Sequence, residues 1–188
     1  MRTRSTAVCA VSLLVGCGGS AAGWLDGKVA GNEVSVKEAI FTVLPDGEVY
    51  VAAGDQENLC AIMTGQQRPS GSMNALELYL GNWNGGGFQP LVTGTYTVTQ
   101  TLGPPGLVVY LILWWLRECI PYTTLSASRG TVTVESVGLP SGGQTVVSVD
   151  LAFGAERMTG HLNASHCAPV EYGTACYARL RSSAPTLE

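Results

Sequence analysis

The sequence predicts an all-β fold, a single antiparallel β-sandwich or small barrel of about eight or nine strands with at most one short helix. Three observations predict it. From Lys28 onward apolar and polar residues alternate with period two, as in strands that bury one face. Hydrophobic residues make up 46% of the chain and charged residues only 13%, too apolar a balance for disorder. Clusters drawn from 24 glycines and nine prolines cut the 188 residues into short pieces. Half-buried strands joined by short turns cover their apolar faces against one another without crossover helices, which is the logic of a sandwich or a closed barrel.

Taken in order, residues 36–44 and the run carrying Val49, Val51 and Ala53 flank Pro45-Asp46-Gly47, a turn that predicts a hairpin. The one helix is expected from Asp55 as N-cap through 56–62, ahead of the 65–71 loop. Leu76, Leu78 and Leu80 alternate with Glu77 and Tyr79, and Tyr96 and Val98 alternate with Thr95 and Thr97. Val132 and Val134 lie between Thr131, Thr133 and Glu135. Val147, Val149, Leu151 and Phe153 oppose Val146, Ser148, Asp150 and Ala152, while Met158, Leu162 and Ala164 oppose Thr159, His161 and Asn163. Each segment is expected to have one core face and one wet face.

The segment 107–116, within "GLVVYLILWWLREC", breaks the alternation by being apolar throughout. As a helix it would rise about 15 Å, half of the roughly 30 Å hydrocarbon layer, so it does not span. As a strand it is covered on both faces, a central position in a sheet. The alternative is that Tyr110, Trp114 or Trp115 lines an apolar pocket or an exposed docking face. A transmembrane barrel needs strands of about ten residues with an outward apolar face repeated around the ring, and most segments here are shorter.

Ahead of this domain, Arg2 and Arg4 precede a run, 7–15, that is apolar apart from Ser12. Such a charged start and short apolar stretch read as a secretory signal. Leu14-Val15-Gly16-Cys17 follows and resembles the lipobox of bacterial lipoproteins. That resemblance implies diacylglycerol in thioether linkage on the Cys17 thiol, cleavage before Cys17, and acylation of the new amine. It divides the chain into a signal peptide at 1–16, a lipidated cysteine and flexible tether at 17–27, and the β-rich domain at 28–188. Two or three fatty chains anchor durably where one does not. In Gram-negative members an aspartate after the cysteine retains the protein on the inner membrane. Gly18 stands there, so the resemblance favours the outer membrane. The alternative is an ordinary signal cut after Ala22, which releases a soluble protein.

The motifs "ENLC", "GTYTV", "RGTVTV" and "NASHC" make the mature region similar to small β-rich lipoproteins frequent in myxobacterial genomes, a resemblance that implies fold and address but no activity.

With Cys9 removed and Cys17 lipidated, Cys60, Cys119, Cys167 and Cys176 remain, and outside the cytosol two disulfides are expected. Spacing favours Cys167 with Cys176 across the 169–173 turn, leaving Cys60 with Cys119.

Composition and motifs narrow the chemistry. Ten Lys and Arg, two of them in the leader, stand against 14 Asp and Glu and are scattered singly, which argues against nucleic acid. His161 and His166 are five apart on a strand and face opposite ways, so with Cys167 they do not form a metal site, and no cofactor beyond the covalent lipid is expected. Gly-x-Ser-x-Gly is absent and no two carboxylates are marked as neighbours, leaving no catalytic residue to name. In "GNWNGGGFQP", Trp83 and Phe88 flank glycines 85–87; these rings either plug one end of the core or stack on a glycan or protein partner. Two functions follow as expectations: a non-enzymatic, lipid-anchored binding or structural module, or a secreted hydrolase of wall or polysaccharide.

Overall fold

The computed structural model describes residues 22–45, 47–83, 88–98, 106–117, 120–139 and 142–168, with the backbone alone described at 82–83, 88, 106–117 and 120–124. Among these residues the chain forms β1 (Gly23–Val29), β2 (Asn32–Glu33), β3 (Glu38–Val43), β4 (Val49–Gly54), α1 (Leu59–Met63), β5 (Ser72–Trp83), β6 (Phe88–Gln89), β7 (Gly94–Thr97), β8 (Gly106–Arg117), β9 (Ile120–Ser126), β10 (Arg129–Ser136), β11 (Gln144–Phe153) and β12 (Glu156–His166). The fold is all-β with almost no helix.

Nine strands form one path, β7-β10-β11-β12-β3-β4-β5-β8-β9, with β1 on β12, β2 on β1 and β6 on β5 at its sides. The path does not close into a barrel among the described residues. It folds over in a sandwich-like way: β7, β10, β11, β12 and β1 form one leaf, and β3, β4, β5, β8 and β9 the other. Val132, Val147, Leu151 and Leu162 of the first leaf share a core with Phe41, Val51, Leu76 and Leu78 of the second. The alternation of β11 is complete, every second residue from Thr145 to Phe153 being buried. Its turn at Gly154-Ala155 sets the β11–β12 register, pairing Phe153 with Glu156 and Ser148 with His161.

One junction departs from the antiparallel pattern. The free edge of β12 is shared: Met158 to Leu162 pair antiparallel with β1, and Ser165 and His166 pair parallel with Ile40 and Phe41 of β3. The Cys167 N–H continues this junction by donating to the Phe41 carbonyl at 2.8 Å. One strand thereby joins both leaves, as at the corners of packed sheets.

Three sequence expectations need correction. The boundary at residue 28 is too late, because β1 begins at Gly23 and the Asn163 N–H donates to the Ala22 carbonyl at 2.9 Å. The tether expected over 17–27 therefore loses its last part to the sheet. The helix starts not after Asp55 but after Asn58, and Asp55 instead accepts from the Asn74 backbone N–H at 3.0 Å and from Asn74 Nδ2 at 2.8 Å. Glu38 of β3 accepts the Leu59 N–H at 2.8 Å, so the helix start is capped from a neighbouring strand. Finally, β4 has no wet face, since all six of its residues are buried. Its inner side chains enter the main core, while Tyr50 and Ala52 lie under α1 with Ile40, Leu59, Met63, Met73 and Ala75 in a second apolar cluster.

The segment 107–116 forms most of β8, and β8 is interior, flanked by β5 and β9. It is a strand, as expected, next to the last in the path, with β9 alongside residues 112–117; the coverage of its faces lies outside the described side chains.

Candidate functional site

Three places carry chemistry or an unusual backbone: the entry of the chain at β1, the disulfide beneath α1, and the outer face of the first leaf. Residues 1–16, expected to be a signal peptide, and Cys17 lie outside the described residues, as do Cys119, Cys176 and the glycines 85–87. Trp83 and Phe88 are backbone partners at the base of the β5–β6 hairpin, and Trp114 and Trp115 lie within β8, opposite Ala75 and Asn74 of β5; all four side chains lie outside the described residues.

At the entry, "GWLDG" is held against β12 by glycine at both ends. Gly23 has φ +114°, and a Cβ there would stand 2.0 Å from the His161 carbonyl oxygen. Gly27, at φ +130°, would place one 2.2 Å from the Arg157 carbonyl oxygen. Only glycine fits such a backbone at such an approach. Between them Leu25 packs against the core and Trp24 points outward, 53% exposed.

Cys60 of α1 is bonded to Cys167 just after β12, with Cα atoms 5.6 Å apart. This overturns both favoured pairings, Cys60 with Cys119 and Cys167 with Cys176. The cause is topological. The parallel β12–β3 junction carries Cys167 into the second core, where α1 covers β3 and β4 and brings Cys60 beside it. Pairing by spacing along the chain cannot anticipate a contact made across 107 residues.

On the outer face of the first leaf, Ser148 Oγ donates to Glu135 Oε1 at 2.6 Å and lies 3.1 Å from His161 Nδ1. The same ring nitrogen stands 3.3 Å from Glu135 Oε1. The residue types are those of a hydrolytic triad, but the wiring is not. A triad places the acid on one imidazole nitrogen and the serine on the other, so that the ring can take the serine proton. Here serine and carboxylate share Nδ1, and the serine proton points to glutamate. The cluster also lies on a sheet face, with the His161 and Glu135 side chains 34% and 44% exposed, and excludes no water.

Further along this face Arg157 donates from Nε to Asp150 Oδ1 at 2.6 Å and from Nη2 to Oδ2. The guanidinium hydrogen bonds hold the Asp150 carboxyl below its usual range. The pair lines an open depression of about 300 Å³ with Arg129, Gly130, Thr131 and Ala152.

His161 and His166 do not converge: His161 faces outward to Ser148, whereas His166 packs edge-on against the Phe41 ring, centroids 5.3 Å apart. Among the described residues no group of three or more His, Cys, Asp or Glu is placed to hold a metal ion. Glu77 is 2% exposed on the α1 side of β5 and accepts the Tyr79 hydroxyl at 3.3 Å. Sequence alternation places Ser148, Asp150 and His161 on wet faces but does not bring them together. The β11–β12 register does, and Gly154-Ala155 between alternating runs is the signal that could have located it.

No family model matches the chain, and no curated protein or solved structure does so either.

Proposed function

We propose that this chain is an exported envelope lipoprotein, anchored through a lipid on Cys17 and carrying a β-rich module that binds a partner or contributes to envelope structure without catalysis. The observation that carries the reading is the order of parts at the start of the sequence: Arg2 and Arg4, the apolar run 7–15, then Leu14-Val15-Gly16-Cys17. The Cys60–Cys167 bridge supports an oxidising compartment. The start of β1 at Gly23 supports it too, since cleavage before Cys17 leaves every described strand intact. Gly18 after the cysteine favours the outer membrane. The shared-nitrogen wiring of Ser148, His161 and Glu135 weighs against the hydrolase alternative.

Radiolabelled palmitate fed to cells expressing the full chain tests the anchor. Label is expected in the wild type and lost in Cys17→Ser. An unlabelled wild type, or a labelled variant, overturns the reading.

A further inference from the structure

The large hydrophobic side chains exposed among the described residues are Trp24, Val92 and Leu139, at 53%, 55% and 64%. They are remote in sequence, yet the ladders gather them at one end of one leaf. Gly94, Val134, Val147, Leu162 and Gly23 form a single cross-strand row through β7, β10, β11, β12 and β1. Val92 lies just before Gly94, and Leu139 lies beyond Val134 in the turn after β10. Both therefore project past the same end of this row. Trp24 stands one residue in from it, on the strand by which the chain enters. Ala22 and Gly23, where β1 begins, stand at that end too.

Charge is distributed the other way. On these five strands the side chains of Lys28, Arg129, Asp150, Glu156 and Arg157 gather toward the far end, where Lys28 also pairs with Glu33 at 3.1 Å. On these strands Glu135, one residue beyond Val134, is the charged residue nearest the entry end, and Asp26 stands two residues from Trp24, level with Asp150. Bringing the entry end of the leaf against a bilayer thus meets one carboxylate, that of Glu135, whereas the other end costs the desolvation of several ions. Trp at such a boundary suits the headgroup layer, with an apolar body and a polar N–H.

From this arrangement we infer that the end of the first leaf bearing Trp24, Val92 and Leu139 rests on the lipid surface to which Cys17 is anchored, and that the charged end faces away. The inference rests on the lipid-anchor reading and adds an orientation to it. Six residues from Cys17 to Gly23 span at most about 20 Å when fully extended, so the anchor keeps this end within reach of the headgroups.

The test uses the full chain, processed in its host and reconstituted in vesicles of phosphatidylethanolamine and phosphatidylglycerol. A photo-crosslinking amino acid is placed in separate variants at exposed positions 92, 139, 129 and 157, and mass spectrometry reads lipid adducts and the state of Cys17. Lipid adducts at 92 and 139, with background levels at 129 and 157, are the expected result. Equal or reversed labelling on a chain that carries lipid at Cys17 overturns the orientation and leaves the anchor standing. Protein adducts in place of lipid at 92 and 139, found in native envelopes, also overturn it. A chain with no lipid on Cys17 overturns both readings.

Discussion

The two sides of β4 and β5 are built by different means. On the inner side Val49, Val51, Ala53, Leu76, Leu78 and Leu80 meet the apolar face of the opposite leaf, and strand alternation alone supplies the core. On the outer side Tyr50, Ala52, Met73 and Ala75 lie beneath a helix of five residues, too short to be stable by itself. That helix is held by two outside parts, a disulfide to Cys167 just after β12 and the Glu38 carboxylate at its first turn, and by the burial of its own Leu59, Ile62 and Met63 side chains. Apolar pattern makes the first core, whereas long-range fasteners make the second. The second also accommodates the buried carboxylate of Glu77, which a core made by alternation alone would exclude.

The largest expected effect comes from removing the fastener of the second core. A bridge closing about 100 residues contributes roughly 4–5 kcal/mol in the chain-entropy model. The double variant Cys60→Ser, Cys167→Ser should lower the urea midpoint accordingly, and hydrogen exchange should show α1 amides opening before those of β11 and β12. An unchanged midpoint would show that the helix side needs no staple. Next comes a cavity in the first core. Leu78→Ala removes a fully buried side chain and should cost about 3 kcal/mol, seen as a lower midpoint with α1 and β11 amides losing protection together. If α1 alone loosens, the two cores are not divided as described.

A smaller effect is expected at the helix start. Glu38→Ala leaves the Leu59 N–H without its acceptor and should cost about 1 kcal/mol, with the fastest exchange appearing at Leu59. Exchange rates there equal to wild type would remove Glu38 from the list of fasteners. The smallest belongs to the exposed Asp150–Arg157 pair. The folded state lowers the Asp150 pKa, so the pair contributes above the ordinary carboxylate value of about 4 and the contribution is lost as pH falls through the lowered value. The Arg157 and Asp150 side chains are 68% and 46% exposed, so the effect is slight. The stability gap between wild type and Asp150→Asn, measured by urea titration, should be present at neutral pH and closed in strong acid. A gap that persists in strong acid assigns it to something other than this ion pair.

The same contrast governs what could be read from residues alone. The first core was legible because period two is a local property: Val132, Val134, Val147, Val149, Leu151, Met158 and Leu162 are all buried as their alternation requires. That 107–116 is a strand, paired along its length with β5, was legible from its unbroken apolar run. The second core was not, because its causes are distant in sequence. Nothing near Asn58 announces that Glu38 caps the helix, and nothing near Cys60 points to Cys167. The covering of Tyr50 and Ala52 by α1 could not be seen in an alternation that looks half wet. At the entry, "GWLDG" resembled a flexible tether because glycine is common to linkers and to close strand approaches. The Ser148–His161–Glu135 grouping required register, which alternation does not carry across a turn.

The sharing of β12 between β1 and β3 has a consequence for how the protein comes into being. A polypeptide emerging amino end first presents β1 and β3 long before residues 156–167 arrive to clasp them. Until that late segment emerges, both early strands keep an open border and the two leaves have no common hinge. The closing step therefore waits until residues 156–167 have emerged, and a non-local closure of this kind is intrinsically slow. Such a schedule lengthens the time over which β1 and β3 stay unpaired on their β12 side. It also leaves those open borders in need of shielding while the remainder of the chain is still on its way.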